Sequence, residues 1–85
     1  MPVICRFFGI VVFRYWRDHP PPHFHAKYQD DEATIEIETG LVTGKLNPRA
    51  LRMVQEWREL HTAELLENWS LATSDRNTRR IDPLE

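Results

Sequence analysis

The chain has 85 residues, 41% hydrophobic and 28% charged, with a formal charge of −2 from 11 basic and 13 acidic side chains. That size and balance suit one globular domain with a modest core, and argue against a protein that wraps nucleic acid over a broad basic surface. The single cysteine, Cys5, excludes an intrachain disulfide and a cysteine-based zinc site, and points to a reducing, cytoplasmic setting.

The apolar stretch from Phe7 to Phe13 is bracketed by Arg6 and Arg14. It is too short to span a bilayer and no signal-peptide cleavage site follows it, so no membrane association is expected. Phe8 to Trp16 is rich in β-branched and aromatic residues and reads as a first strand. Val11, Phe13 and Tyr15 then share one face, and Val12, Arg14 and Trp16 the other. Asp18 and the run Pro20-Pro21-Pro22 end the ladder, because proline has no N–H to donate and a fixed φ. A stiff, extended connection is expected there.

His23 to Tyr28 reads as a second strand, with Phe24, Ala26 and Tyr28 on the core side and His23, His25 and Lys27 on the other. Gln29 to Glu32 is a polar turn. Ala33 to Glu38 alternates cleanly as a third strand, Thr39-Gly40 signals a turn, and Leu41 to Leu46 is a fourth strand. The expected sheet is an antiparallel meander of about four strands with one wet face.

Asn47-Pro48 opens a helix, asparagine as N-cap and proline in the first helical position. Ala50, Val54, Trp57, His61 and Leu65 recur at helical spacing, widened by Leu51, Met53 and Leu60. One long helix is expected to cross the apolar face of the sheet and to run to Trp69 or Ala72, with His61-Thr62 as the place where it could break. The whole is an α+β domain over residues 1–73. Residues 74–85 are polar and carry Arg76, Arg79 and Arg80 without apolar periodicity, the composition of a flexible tail or of a segment that orders on a partner.

His19, His23 and His25 flank the proline run. If Gln29 to Glu32 closes a four-residue hairpin, His25 faces Glu36 and His23 faces Glu38 on the wet side. Three uses are open. A histidine oriented by Glu36 can serve as general acid or base, with His23 or His25 as the catalytic group and Arg14 or Arg17 stabilising charge; RNA cleavage is then the reaction class. His19, His23 and His25 can hold a divalent metal, although nothing in the sequence requires a cofactor. His19 with Arg14, Trp16, Arg17 and Lys27 can form a protein or RNA contact surface without catalysis. Taken singly, cross-strand histidine–glutamate pairs are often surface electrostatics and nothing more. Lys45, Arg49 and Arg52 near the helix start read as a solvated face or an anion patch, and His61 as a core histidine with a hydrogen-bond partner. An exposed sheet edge or the Trp-bearing helix could support a homo-oligomer.

Cys5 to Ile10, the segment Asp18-His19-Pro20-Pro21-Pro22-His23-Phe24-His25-Ala26, and the stretches Arg49 to Trp57, Glu59 to His61 and Glu64 to Trp69 carry a resemblance. Together they resemble small bacterial domains of unknown function whose signature is H-x-P-P-H-F-H-A, over about Met1 to Leu71. That family includes DhiT-like toxins of type II toxin–antitoxin systems. The resemblance implies a toxin component acting in the cytoplasm and neutralised by a small cognate antitoxin protein. It brings no catalytic residues of its own; His19, His23 and His25 match its signature.

Overall fold

The computed structural model describes residues 3–15, 18–73 and 79–84. Its architecture is α+β: a five-stranded antiparallel sheet whose strands neighbour one another in chain order, with two helices against one face. The strands are β1 (Val3–Phe7), β2 (Ile10–Phe13), β3 (His23–Tyr28), β4 (Asp31–Glu36) and β5 (Val42–Lys45). The helices are α1 (Pro48–Leu60) and α2 (Thr62–Thr73).

The fifth strand comes from a turn inside the apolar N-terminal stretch. Phe7 pairs with Ile10, leaving Phe8 and Gly9 as a two-residue loop, both at positive φ (48° and 81°). Such tight hairpins need left-handed backbone in the loop, which glycine supplies at low cost. What reads as one strand starting at Phe8 is therefore a hairpin, and β2 ends at Phe13.

The second hairpin is also tighter than expected. Gln29 and Asp30 alone close it, with Gln29 at φ 55°, so Tyr28 pairs with Asp31. The expected register thus moves by two residues: His25 faces Thr34 and His23 faces Glu36. A shift of two preserves which side chains share a face, where a shift of one would invert them. Phe24, Ala26, Ala33 and Ile35 accordingly remain in the core.

Asn47 caps α1 as expected, its side-chain oxygen accepting from the Arg49 and Ala50 amides at 3.0 and 3.2 Å. The helix expected to continue past His61 breaks there, and α2 begins at Thr62. Trp57, fully buried, centres the core against Phe7 and Phe24, each with ring centroids 5.7 Å away. His61 is half-buried beside Trp57, and its Nδ1 lies 2.8 Å from the Glu64 carboxylate.

Residues 79–84 lie along β1 and the helices. Ile81 is buried, and its amide donates to the Ile4 carbonyl at 3.1 Å. The Trp57 indole N–H donates to the Asp82 carbonyl at 2.8 Å. The Asn68 amide group grips the Arg79 backbone from both sides, donating to its carbonyl at 2.7 Å and accepting from its N–H at 2.8 Å. This short segment is held because Ile81 and Leu84 pack on the core and its main chain finds partners; residues 74–78, the rest of the expected tail up to Arg79, lie outside the described residues.

Candidate functional site

His23 and His25 leave β3 on the sheet face opposite the main core, as their alternation dictates. Their rings meet edge to face, with centroids 5.2 Å apart. The connection after β2 folds back over this end of the sheet and brings Asp18 onto both rings. Asp18 Oδ2 lies 3.5 Å from His23 Nε2 and 3.3 Å from His25 Nε2. The Tyr15 amide donates to the same oxygen at 3.2 Å. Asp18 had no part in the chemistry read from sequence, where it served only to end a strand. The available signal was its position immediately before His19 and the prolines, a chain segment that must turn sharply.

Each ring is held by its other nitrogen. His23 Nδ1 is 2.8 Å from the Pro21 carbonyl. A carbonyl oxygen can only accept, so Nδ1 carries the proton and, in the neutral ring, Nε2 presents its lone pair toward Asp18. His25 Nδ1 is 3.1 Å from the Thr34 hydroxyl. His25 is also packed between aromatic rings, stacked on Phe13 at 5.4 Å and met edge-on by Tyr15 at 4.6 Å. It is 8% exposed. Burial pushes its pKa below the ordinary histidine value, opposed by the nearby Asp18 carboxylate.

His19 is exposed and stands outside the group whose ligand atoms converge. Lys27 is exposed on the same strand face, paired across the ladder with Glu32. Glu36, expected to orient His25, lies opposite His23 instead, and its carboxylate accepts from the Thr39 hydroxyl at 3.0 Å. The two-residue hairpin is the cause: it moves Thr34, not Glu36, beside His25. Arg14 is 2% exposed and turned toward α2. It donates to the Asn68 and Tyr15 carbonyls at 3.3 Å each and lies over the Trp69 ring at 5.2 Å. Burial lowers its pKa, with Asp18 opposing. Trp16 and Arg17 lie outside the described residues.

Trp69 joins the site to α2, since its ring also sits 5.1 Å from that of His23. Cys5 is buried and burial pushes its thiol pKa up, the opposite of what an activated nucleophile needs. A half-open cleft of about 370 Å³ lies at the other end of β3, lined by Phe8, Tyr28, Asn47, Arg49, Ala50 and Met53, with no cluster of titratable groups. Lys45, Arg49 and Arg52 are exposed. No helix among the described residues is long and apolar enough to cross a membrane.

Chemically, the cluster offers two imidazole nitrogens and one carboxylate oxygen, all within 4.8 Å of one another, with one ring buried and the other two side chains 14% exposed. That set can move a proton near neutral pH or coordinate a cation. Compared with known proteins, residues 9–70 match the sequence model of a family described as Domain of unknown function (DUF4160). No curated protein and no solved structure matches the chain.

Proposed function

We propose that this chain, which belongs to the DUF4160 family, is the toxin component of a bacterial type II toxin–antitoxin pair, with Asp18, His23 and His25 as its working centre. The observation that carries the reading is the convergence of both imidazole Nε2 atoms on one partly exposed carboxylate. The residues involved lie within the segment that resembles the DhiT-like toxins. Residues from three places in the chain hold it: Tyr15 and Asp18 after β2, His23 and His25 on β3, and Thr34 on β4.

The target class is RNA. His23 Nε2, left without the ring proton when Nδ1 donates to the Pro21 carbonyl in the neutral ring, is placed to take a proton in the metal-free protein, and Lys27 supplies an exposed positive charge on the same strand face. A second reading, binding of the target without catalysis, is favoured by Arg14: its guanidinium is buried and committed to the Asn68 and Tyr15 carbonyls, so it is not presented where a phosphodiester could reach it. In either reading a small antitoxin protein covers the partly exposed side of the Asp18–His23 pair.

Expression without the neighbouring antitoxin gene tests the proposal. The wild-type chain should arrest growth, and Asp18→Asn and His23→Gln, each folded by circular dichroism, should not. Unimpaired growth with wild type overturns the toxin reading. Equal arrest by the folded variants removes the cluster from the mechanism. RNA breakdown in arrested cells separates cleavage from binding.

A further inference from the structure

We infer that Asp18, His23 and His25 bind one divalent transition-metal ion of the zinc class, through Asp18 Oδ2, His23 Nε2 and His25 Nε2. This goes beyond the toxin proposal and is tested apart from it, because metal binding is measured on the isolated protein; an ion on His23 Nε2 takes the lone pair that a general base would need, so in the loaded protein that atom is a ligand and not the base.

Donor spacing is the first argument. Zinc takes imidazole nitrogen and carboxylate oxygen at about 2.0–2.2 Å, which puts neighbouring donors of a tetrahedron about 3.3–3.6 Å apart. The two donor pairs that include Asp18 are 3.3 and 3.5 Å apart. The three donors lie within 4.8 Å of one another, so the two imidazole nitrogens need to approach by no more than about 1.5 Å to meet the same geometry.

The outer hydrogen bonds are the second argument. A metal-bound histidine characteristically donates its other N–H to a carbonyl, hydroxyl or carboxylate, which fixes the ring and leaves one lone pair for the ion. His23 does this to the Pro21 carbonyl at 2.8 Å, and His25 has the Thr34 hydroxyl at 3.1 Å, free to accept in the same way. The carboxylate has its own support from the Tyr15 amide. In the neutral state, the His23 Nε2 lone pair and the Asp18 oxygen are then two acceptors facing each other at 3.5 Å. A cation between them turns that repulsion into coordination.

The donor set decides the class of ion. Two imidazoles and one carboxylate suit zinc and its first-row neighbours, whereas magnesium and calcium favour all-oxygen surroundings. Three protein donors leave a coordination position for water or an oxyanion. His19, a ligand candidate from sequence, is replaced in the set by the residue before it.

Tag-free protein, stripped with chelator and titrated with Zn²⁺ against a chromophoric competitor, tests this. Wild type should bind one ion per chain. Asp18→Asn and His23→Gln, both at partly exposed side chains, should each weaken binding at least 100-fold while keeping the wild-type circular dichroism spectrum. Thr34→Val, which removes a supporting contact but no ligand, should weaken it about tenfold. His19→Gln should leave it unchanged. The Co²⁺-loaded protein should show the strong visible absorption of a four-coordinate centre, lost in His23→Gln. Failure of wild type to bind stoichiometric Zn²⁺, or equally tight binding by Asp18→Asn and His23→Gln, overturns the inference. Should those two variants fail to fold, wild-type-like binding by Thr34→Val overturns it instead. Growth arrest without metal binding would sink this inference and leave the toxin proposal standing; metal binding without arrest would do the reverse.

Discussion

Replacing Thr34 with valine isolates the support beneath the buried histidine. Valine keeps the branched shape at Cβ, so no cavity opens, and only the hydroxyl is lost. In the wild type that hydroxyl is 3.1 Å from His25 Nδ1, and His25 is 8% exposed between Phe13 and Tyr15. Water does not readily replace it there. An intramolecular hydrogen bond contributes about 1 kcal/mol net, and a buried polar atom left without a partner costs about 1–3 kcal/mol. A destabilisation of about 1–2 kcal/mol follows, or a fall in Tm of about 5–15 °C for a domain of this size. The assay is thermal unfolding by circular dichroism in chelator at mildly alkaline pH. A second variant, His25→Phe, removes the nitrogen that would be orphaned, so Thr34→Val in that background should cost much less than in wild type. A single variant melting within about 1 °C of wild type, or the same loss in both backgrounds, would refute the claim that Thr34 holds the ring.

Stability should also depend on pH through His25. Burial holds its pKa below the ordinary value of 6.5 in the folded state, so the unfolded chain takes up the proton first as pH falls. The contribution is therefore complete above that value and is lost as pH drops through the folded-state pKa; metal-free urea midpoints should fall in acid, less steeply in His25→Phe, and parallel curves would contradict this. Asn68→Ala removes both side-chain hydrogen bonds to the Arg79 backbone and should cost about 1–3 kcal/mol. Trypsin should then cut faster after Arg79 and Arg80, and an unchanged rate would show that the segment is held by something else. Gly44 has φ 99°, and an added Cβ would lie 2.9 Å from the Glu32 carbonyl and 3.2 Å from Ala33 Cα, both backbone atoms. Gly44→Ala should lower stability by about 1–3 kcal/mol, measured by urea unfolding, and a neutral result would mean that β5 can shift away from β4.

Side-chain periodicity made the faces of the sheet legible. Phe24, Ala26, Ala33 and Ile35 alternate with His23, His25 and Thr34 as the pleat requires, and Asn47-Pro48 marks the helix start through capping chemistry. The Phe8-Gly9 turn was hidden because phenylalanine is a strand former and gives no sign of a left-handed conformation. The β3–β4 register depended on loop length, and Gln29-Asp30-Asp31-Glu32 reads equally well as two or four turn residues. Pairing of the two histidines on one face followed from local pattern. Their shared partner Asp18, and the inward turn of Arg14 toward Asn68 and Trp69, are set by how a connection folds over the sheet, which no short-range period encodes. The docking of residues 79–84 is of the same kind: its main chain pairs with the Ile4 carbonyl, the Trp57 indole N–H and the Asn68 side-chain amide, none of them a local neighbour.

Long-range proton–nitrogen correlation spectra of the histidine rings, recorded before and after one equivalent of Zn²⁺, test the arrangement at Asp18 most directly. His23 should carry its proton on Nδ1, and Zn²⁺ should shift the Nε2 signals of His23 and His25 while those of His19 and His61 stay in place. A His23 ring protonated on Nε2 in the neutral form, or four histidines responding alike, would contradict it.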